Sequence, residues 1–119
     1  MSMTRRQLVY ASLVASVCFP PFAQANISCT GPVTYLGSDA TGLVYVAVGG
    51  EVHAVCNSVT QGDFQSTPQA CKQDYAMLLA DQATGKSVTL FYNDPALTQC
   101  SQVGSWSLQP SMYFVATSN

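Results

Sequence analysis

Any chemistry in this chain has to come from very few residues. There is one histidine, His53, and Glu51 lies two positions before it, on the same face of any strand that carries both. A base oriented by a carboxylate is a general-base arrangement, and Ser28 or Ser58 would supply the hydroxyl to activate. No nucleophile elbow or other catalytic motif surrounds these residues, so the pair reads as two polar groups on a half-exposed strand. No catalytic residue is assigned; a small hydrolase using His53 is the alternative. Asp39, Asp63 and Asp94 each adjoin turn residues, where an Asp side chain caps its own backbone, and they lack EF-hand spacing for calcium. Phosphate-binding glycine loops are absent. The expectation is a protein without enzymatic activity, cofactor or metal.

The cysteines speak to compartment. Arg5 and Arg6 precede a short apolar run ending at Phe22, and Ala23-Gln24-Ala25 follows. This is the pattern of a secretory signal peptide over residues 1–25, cleaved after Ala25, and it predicts a periplasmic or secreted protein. A membrane anchor would need about 20 apolar residues, and Pro20-Pro21 ends this run early. Cys18 leaves with the leader, because Ala15-Ser16-Val17 is a poor lipoprotein signal. Cys29, Cys56, Cys71 and Cys100 remain, an even number that predicts two disulfides in an oxidising compartment. Zinc is disfavoured, since structural sites place ligands about two to four residues apart.

Residues 26–119 form a single domain of 94 residues, in which Lys72 and Lys86 face six acids for a net charge of −4. Nucleic acid requires a basic stripe to neutralise phosphates, and an anionic membrane surface requires the same; both are excluded as partners. Only 8 % of the whole chain is charged and 48 % is hydrophobic. Ser, Thr, Gln and Asn must therefore wet the surface, and a neutral glycan or another protein remains compatible as a ligand.

The pattern of residues predicts five strands and one helix. Val33–Leu36 reads as the first strand. Leu43–Val48 is the second, Gly49-Gly50 a two-residue hairpin turn, and Glu51–Cys56 the third. That turn places Val46 opposite His53 and Tyr45 opposite Ala54. Leu43, Tyr45, Ala47, Val52, Ala54 and Cys56 then share one apolar face, expected to point inward. Val44, Val46, Val48, His53 and Val55 share the other, with Glu51. Four valines are too many for open water, so this second face is expected to be covered by an oligomer contact or another partner.

After a polar loop, Thr67-Pro68 opens a helix as cap and first residue. Cys71, Tyr75, Leu78, Leu79 and Gln82 recur at helical spacing, and Gly85 ends the helix. Lys86–Tyr92 is the fourth strand, with either Val88, Leu90 and Tyr92 or Thr89 and Phe91 inward. A loop carrying Cys100 and Trp106 leads to Met112–Thr117. Three strands, a helix and two strands is the layout of the five-stranded OB-fold, a partly open Greek-key barrel. In that barrel the start of the first strand meets the end of the fourth, which brings Cys29 to Cys100. The third strand's end also lies near the helix start, which brings Cys56 to Cys71. Fold and pairing support one another.

The segment Ala83-Thr84-Gly85-Lys86-Ser87-Val88-Thr89-Leu90-Phe91-Tyr92 resembles the receptor-binding B subunits of subtilase- and pertussis-like AB5 toxins. It is also similar to small exported bacterial proteins of unassigned function that share the cysteine pattern. The resemblance covers Cys56–Tyr92. It implies an OB-fold that joins a ring, with the helix along a central pore and sheet edges paired between neighbours, and that binds sialylated glycans. The regions that form the sugar sites in that family match no motif here. From the residues themselves, Trp106, flanked by Ser105 and Ser107, is the candidate for stacking on a sugar ring; a lid over the open barrel end is its other reading. The remaining aromatics sit at positions that read as core. A glycan- or protein-binding module, with assembly into an oligomer, is the leading expectation, and a monomeric periplasmic structural or inhibitor-like protein the alternative.

Overall fold

The computed structural model describes Ser16 and residues 26–118. Apart from Ser16, the leader expected over residues 1–25 lies outside the described residues. Six strands and one α-helix follow in the order β1 (Ile27–Ser38), β2 (Leu43–Val48), β3 (His53–Asn57), α1 (Pro68–Thr84), β4 (Ser87–Tyr92), β5 (Ser107–Leu108) and β6 (Met112–Ser118). A 3₁₀ turn at Cys100–Gln102 lies between β4 and β5. The strands form one sheet in the order β5-β3-β2-β1-β4-β6.

β1 is the organising element. Its first half, Ile27 to Pro32, pairs antiparallel with β4, and its second half, Val33 to Ser38, pairs antiparallel with β2. Thr34 is the extra residue of a bulge between them. It bends the strand and reverses the alternation, so Val33 points inward while Tyr35 points out at 41 % exposure. Gly31-Pro32 lies within this strand instead of preceding it, at the point where the chain changes partners.

The helix begins and ends as its sequence requires. The Thr67 hydroxyl accepts the Ala70 N–H, Pro68 takes the first turn, and Gly85 closes the helix at φ 69°, a conformation open to glycine without steric cost. Cys71 and Leu78 are buried and Tyr75 is half-buried, but Leu79 and Gln82 are exposed. The buried position in the last turn belongs to Asp81, whose Oδ2 accepts the Thr117 hydroxyl at 2.7 Å. That bond joins the helix to β6.

Both expected disulfides are present, Cys29–Cys100 and Cys56–Cys71. The first ties the start of β1 to the 3₁₀ turn; the second ties the end of β3 to the first turn of α1. Three expectations need correction. The strands form an open six-stranded sheet, where a five-stranded, partly open barrel was expected. The C-terminal strand is divided: β5 runs parallel to β3, β6 antiparallel to β4, and Gln109-Pro110-Ser111 separates them.

The third concerns the faces of the β2–β3 hairpin. Val44, Val46, Val48, His53 and Val55 are all buried inside the protomer and form no oligomer or partner face. They join Val33, Val88, Leu90, Tyr92, Met112, Val115 and Leu78 in the core. Both faces of β2 are apolar, so alternation could not decide between them. His53 and Glu51 made the valine face look solvent-directed. In the structure Glu51 lies in the turn before β3, and His53 finds partners for both ring nitrogens. Val46 does pair with His53 and Tyr45 with Ala54, but Val55 is the extra residue of a second bulge, which brings Cys56 opposite Val44 and onto the core face.

Candidate functional site

Two places combine exposure or space with unusual chemistry. The first is the outer face of β1, β2, β3 and β5. The strand pairing sets Tyr35 opposite Ala47, and Tyr45 opposite both Gly37 and Ala54. These small neighbours leave room for tyrosine rings to lie across the sheet; a Cβ on Gly37 would already touch the Tyr35 ring at 3.4 Å.

Trp106 enters this face from the residue before β5. Its N–H donates to the Val52 carbonyl at 2.5 Å, and Ser107 pairs directly with His53. Its φ of 55° is the only positive value for a non-glycine residue among those described. A bulky side chain in the left-handed region costs roughly 1–2 kcal/mol, and such strain persists only where surrounding contacts hold it. The indole lies 5.5 Å from the Tyr35 ring at 76° and 5.5 Å from the Tyr45 ring at 53°. It remains 59 % exposed, so it is no buried lid over a barrel end. Leu108, opposite Ala54, extends the same apolar face into solvent.

Tyr35 and Tyr45, expected in the core, belong instead to this surface. The signal was their hydroxyl groups: of two apolar faces, the one with tyrosines can stay wet. A second aromatic group joins the half-buried Phe91 of β4 to the exposed Tyr113 and Phe114 of β6.

The second place is a cavity of about 330 Å³ between the Gly49-Gly50 turn and the Cys29–Cys100 bridge. His53 and Tyr92 line it, from β3 and the end of β4. The His53 Nδ1 lies 2.9 Å from the Glu51 carbonyl oxygen. A carbonyl only accepts, so Nδ1 carries the proton and donates. Nε2 is then the acceptor in neutral histidine, and the Tyr92 hydroxyl 2.5 Å away donates to it. Burial pushes the His53 imidazole below its usual range, against a smaller opposing effect of the Glu51 carbonyl. Burial also pushes the Tyr92 phenol far above its usual range. At neutral pH both groups are therefore uncharged.

This geometry separates the residues considered for catalysis. His53 meets the backbone of Glu51, not its exposed carboxylate, and neither ring nitrogen is bonded to a serine. The Ser58 hydroxyl donates to the Gly42 carbonyl. Asp39 accepts from the Thr41 hydroxyl and N–H and from the Leu43 N–H; the Thr41 hydroxyl leads in holding its carboxyl below the usual range. Asp94 accepts from the Ala96 N–H. These two acids cap their own turns.

Two disulfides fit an extracellular or periplasmic location, and among the described residues no helix is long and apolar enough to cross a membrane. No protein-family model matches the chain, and no curated protein or solved structure matches it either.

Proposed function

We propose that this protein is an exported, non-enzymatic binding module that holds a glycan against Trp106, Tyr35 and Tyr45. One observation carries the reading: a tryptophan held in a strained backbone conformation, more than half exposed, and braced by two tyrosines. A sugar ring has an apolar C–H face that stacks on the electron-rich face of an indole, and the inclined tyrosines offer hydroxyls to its edge. The low net charge suits a ligand without strong charge. The strand connectivity supports an OB-like reading, with β5 beside β3 and β6 beside β4 as two pieces of a fifth strand that does not close. The likeness of residues 83–92 to AB5 toxin B subunits points the same way.

The test is saturation-transfer NMR and a glycan array on residues 26–119, with neutral and sialylated glycans. Binding by at least one glycan, weakened about tenfold or more by Trp106→Ala with an unchanged far-ultraviolet spectrum, is expected; a tenfold loss is about 1.4 kcal/mol, within the range of aromatic contacts. Silence across the panel removes the proposal. Self-assembly is a second reading, favoured by the unpaired edge of β6 with Tyr113 and Phe114 exposed on it. A monomer by light scattering at micromolar concentration removes that one.

A further inference from the structure

We infer that the Trp106 surface takes an uncharged sugar ring and rejects acidic saccharides, whether sialylated, uronic or sulfated. This rests on the glycan reading above and narrows its ligand class. The face is built by β1, β2, β3 and β5 with their connecting turns. Over residues 27–58 and 104–109 the only acidic side chains are Asp39 and Glu51, and no lysine or arginine offsets them. His53, the one basic side chain in these stretches, is buried with both ring nitrogens bonded. Asp39 and Glu51 are exposed and belong to the turns at the two ends of β2.

Both turns border the aromatic surface. The Trp106 N–H donates to the Val52 carbonyl, and Glu51 is the residue before Val52. The Tyr35 ring lies against Gly37, and Asp39 is two residues beyond Gly37. The lysines are elsewhere. Lys72 is on α1, which packs on the core side of the sheet through Cys71 and Leu78, and Lys86 lies between α1 and β4. An acidic sugar on this face therefore meets no cation to pair with. It has to shed water from its anionic group beside the electron-rich faces of aromatic rings. The two carboxylates repel it as well, over a screening length of about 8 Å at physiological salt. An uncharged ring meets neither obstacle, and the tyrosine hydroxyls serve it as donors and acceptors.

The test is a glycan array on residues 26–119 that carries neutral glycans beside their acidic counterparts, with lactose and 3′-sialyllactose, and methyl glucoside and methyl glucuronide, among them. Each hit should be uncharged, and its acidic counterpart should bind at least about fivefold more weakly in low salt. The gap should shrink about twofold or more in roughly 0.5 M salt, where charges are screened within a few ångströms. Glu51→Gln and Asp39→Asn, at exposed positions outside the aromatic contacts, should narrow it likewise and leave affinity for the neutral glycan unchanged. Asparagine keeps the oxygen that caps the Asp39 turn. An acidic glycan bound as tightly as its neutral parent overturns the inference and leaves the glycan reading standing. A gap unmoved by salt and by both variants overturns it too. Silence across the array removes the glycan reading, and this inference with it.

Discussion

Tyr92 and His53, 39 residues apart in sequence, meet inside the protein with hydroxyl and Nε2 at 2.5 Å. The direction of that bond is set by a third atom, the Glu51 carbonyl, which fixes the tautomer of the ring. Three groups, on β3, on the turn before it and on β4, thus form one polarised chain at the edge of the apolar core. Buried polar groups are tolerated when each has a partner; here the partners also determine which lone pairs are left over.

The same burial makes stability depend on pH. The His53 imidazole is held below its ordinary 6.5 in the folded state. As pH falls through that value the unfolded chain takes up a proton that the folded chain refuses. Stability is therefore full above 6.5 and declines below it, until pH reaches the lower folded value. Within that window stability falls with pH by no more than about 1.4 kcal/mol per pH unit. Urea midpoints measured near pH 7.5 and near pH 5 should fall accordingly, and His53→Gln should reduce the fall. Equal midpoints at the two pH values in the unaltered protein would contradict this account.

The two disulfides should differ in susceptibility to reduction. Cys56 and Cys71 are both fully buried, whereas Cys100 is exposed and its bridge lines a cavity. Exchange requires a thiolate to reach a sulfur in line. Under a limiting dithiol, alkylation and mass spectrometry should find Cys29 and Cys100 labelled first. Removing the Cys56–Cys71 link by double alanine substitution should cost about 3 kcal/mol from loop entropy alone. Labelling of Cys56 before Cys100 would show that the helix opens more readily than its burial implies.

Trp106 allows strain to be separated from binding. Trp106→Ala keeps a Cβ at φ 55°, whereas Trp106→Gly removes it. The glycine variant should be the more stable of the two by about 1 kcal/mol in urea denaturation, since alanine is penalised in this conformation. Both should lose glycan binding alike. If alanine is the more stable, the left-handed conformation is not retained in solution.

Much of this could be read from the chain. β2 has the bounds its β-branched run implies, Thr67-Pro68 and Gly85 bracket the helix, and of the three possible cysteine pairings the one that an OB-fold layout favours is the one present. What sequence missed has identifiable causes. Gly31-Pro32 looked like a break, but Pro32 sits where β1 changes partners, at the end of its pairing with β4. Two apolar faces on β2 left no contrast for alternation to exploit, so inside and outside were exchanged. His53 looked exposed because its partner, Tyr92, is distant in sequence. The aromatic surface escaped notice for the matching reason: Tyr35, Tyr45 and Trp106 come from three separate segments that only the bulge at Thr34 and the short β5 bring together.

That bulge has a mechanical consequence. Because a single strand, β1, runs from one half of the sheet into the other, the molecule has no seam. Opening either half strips hydrogen bonds from the strand that anchors its counterpart, and the Cys29–Cys100 bridge clamps the end where peeling would begin. The backbone amides of β1 should therefore exchange with solvent mainly when the whole domain unfolds.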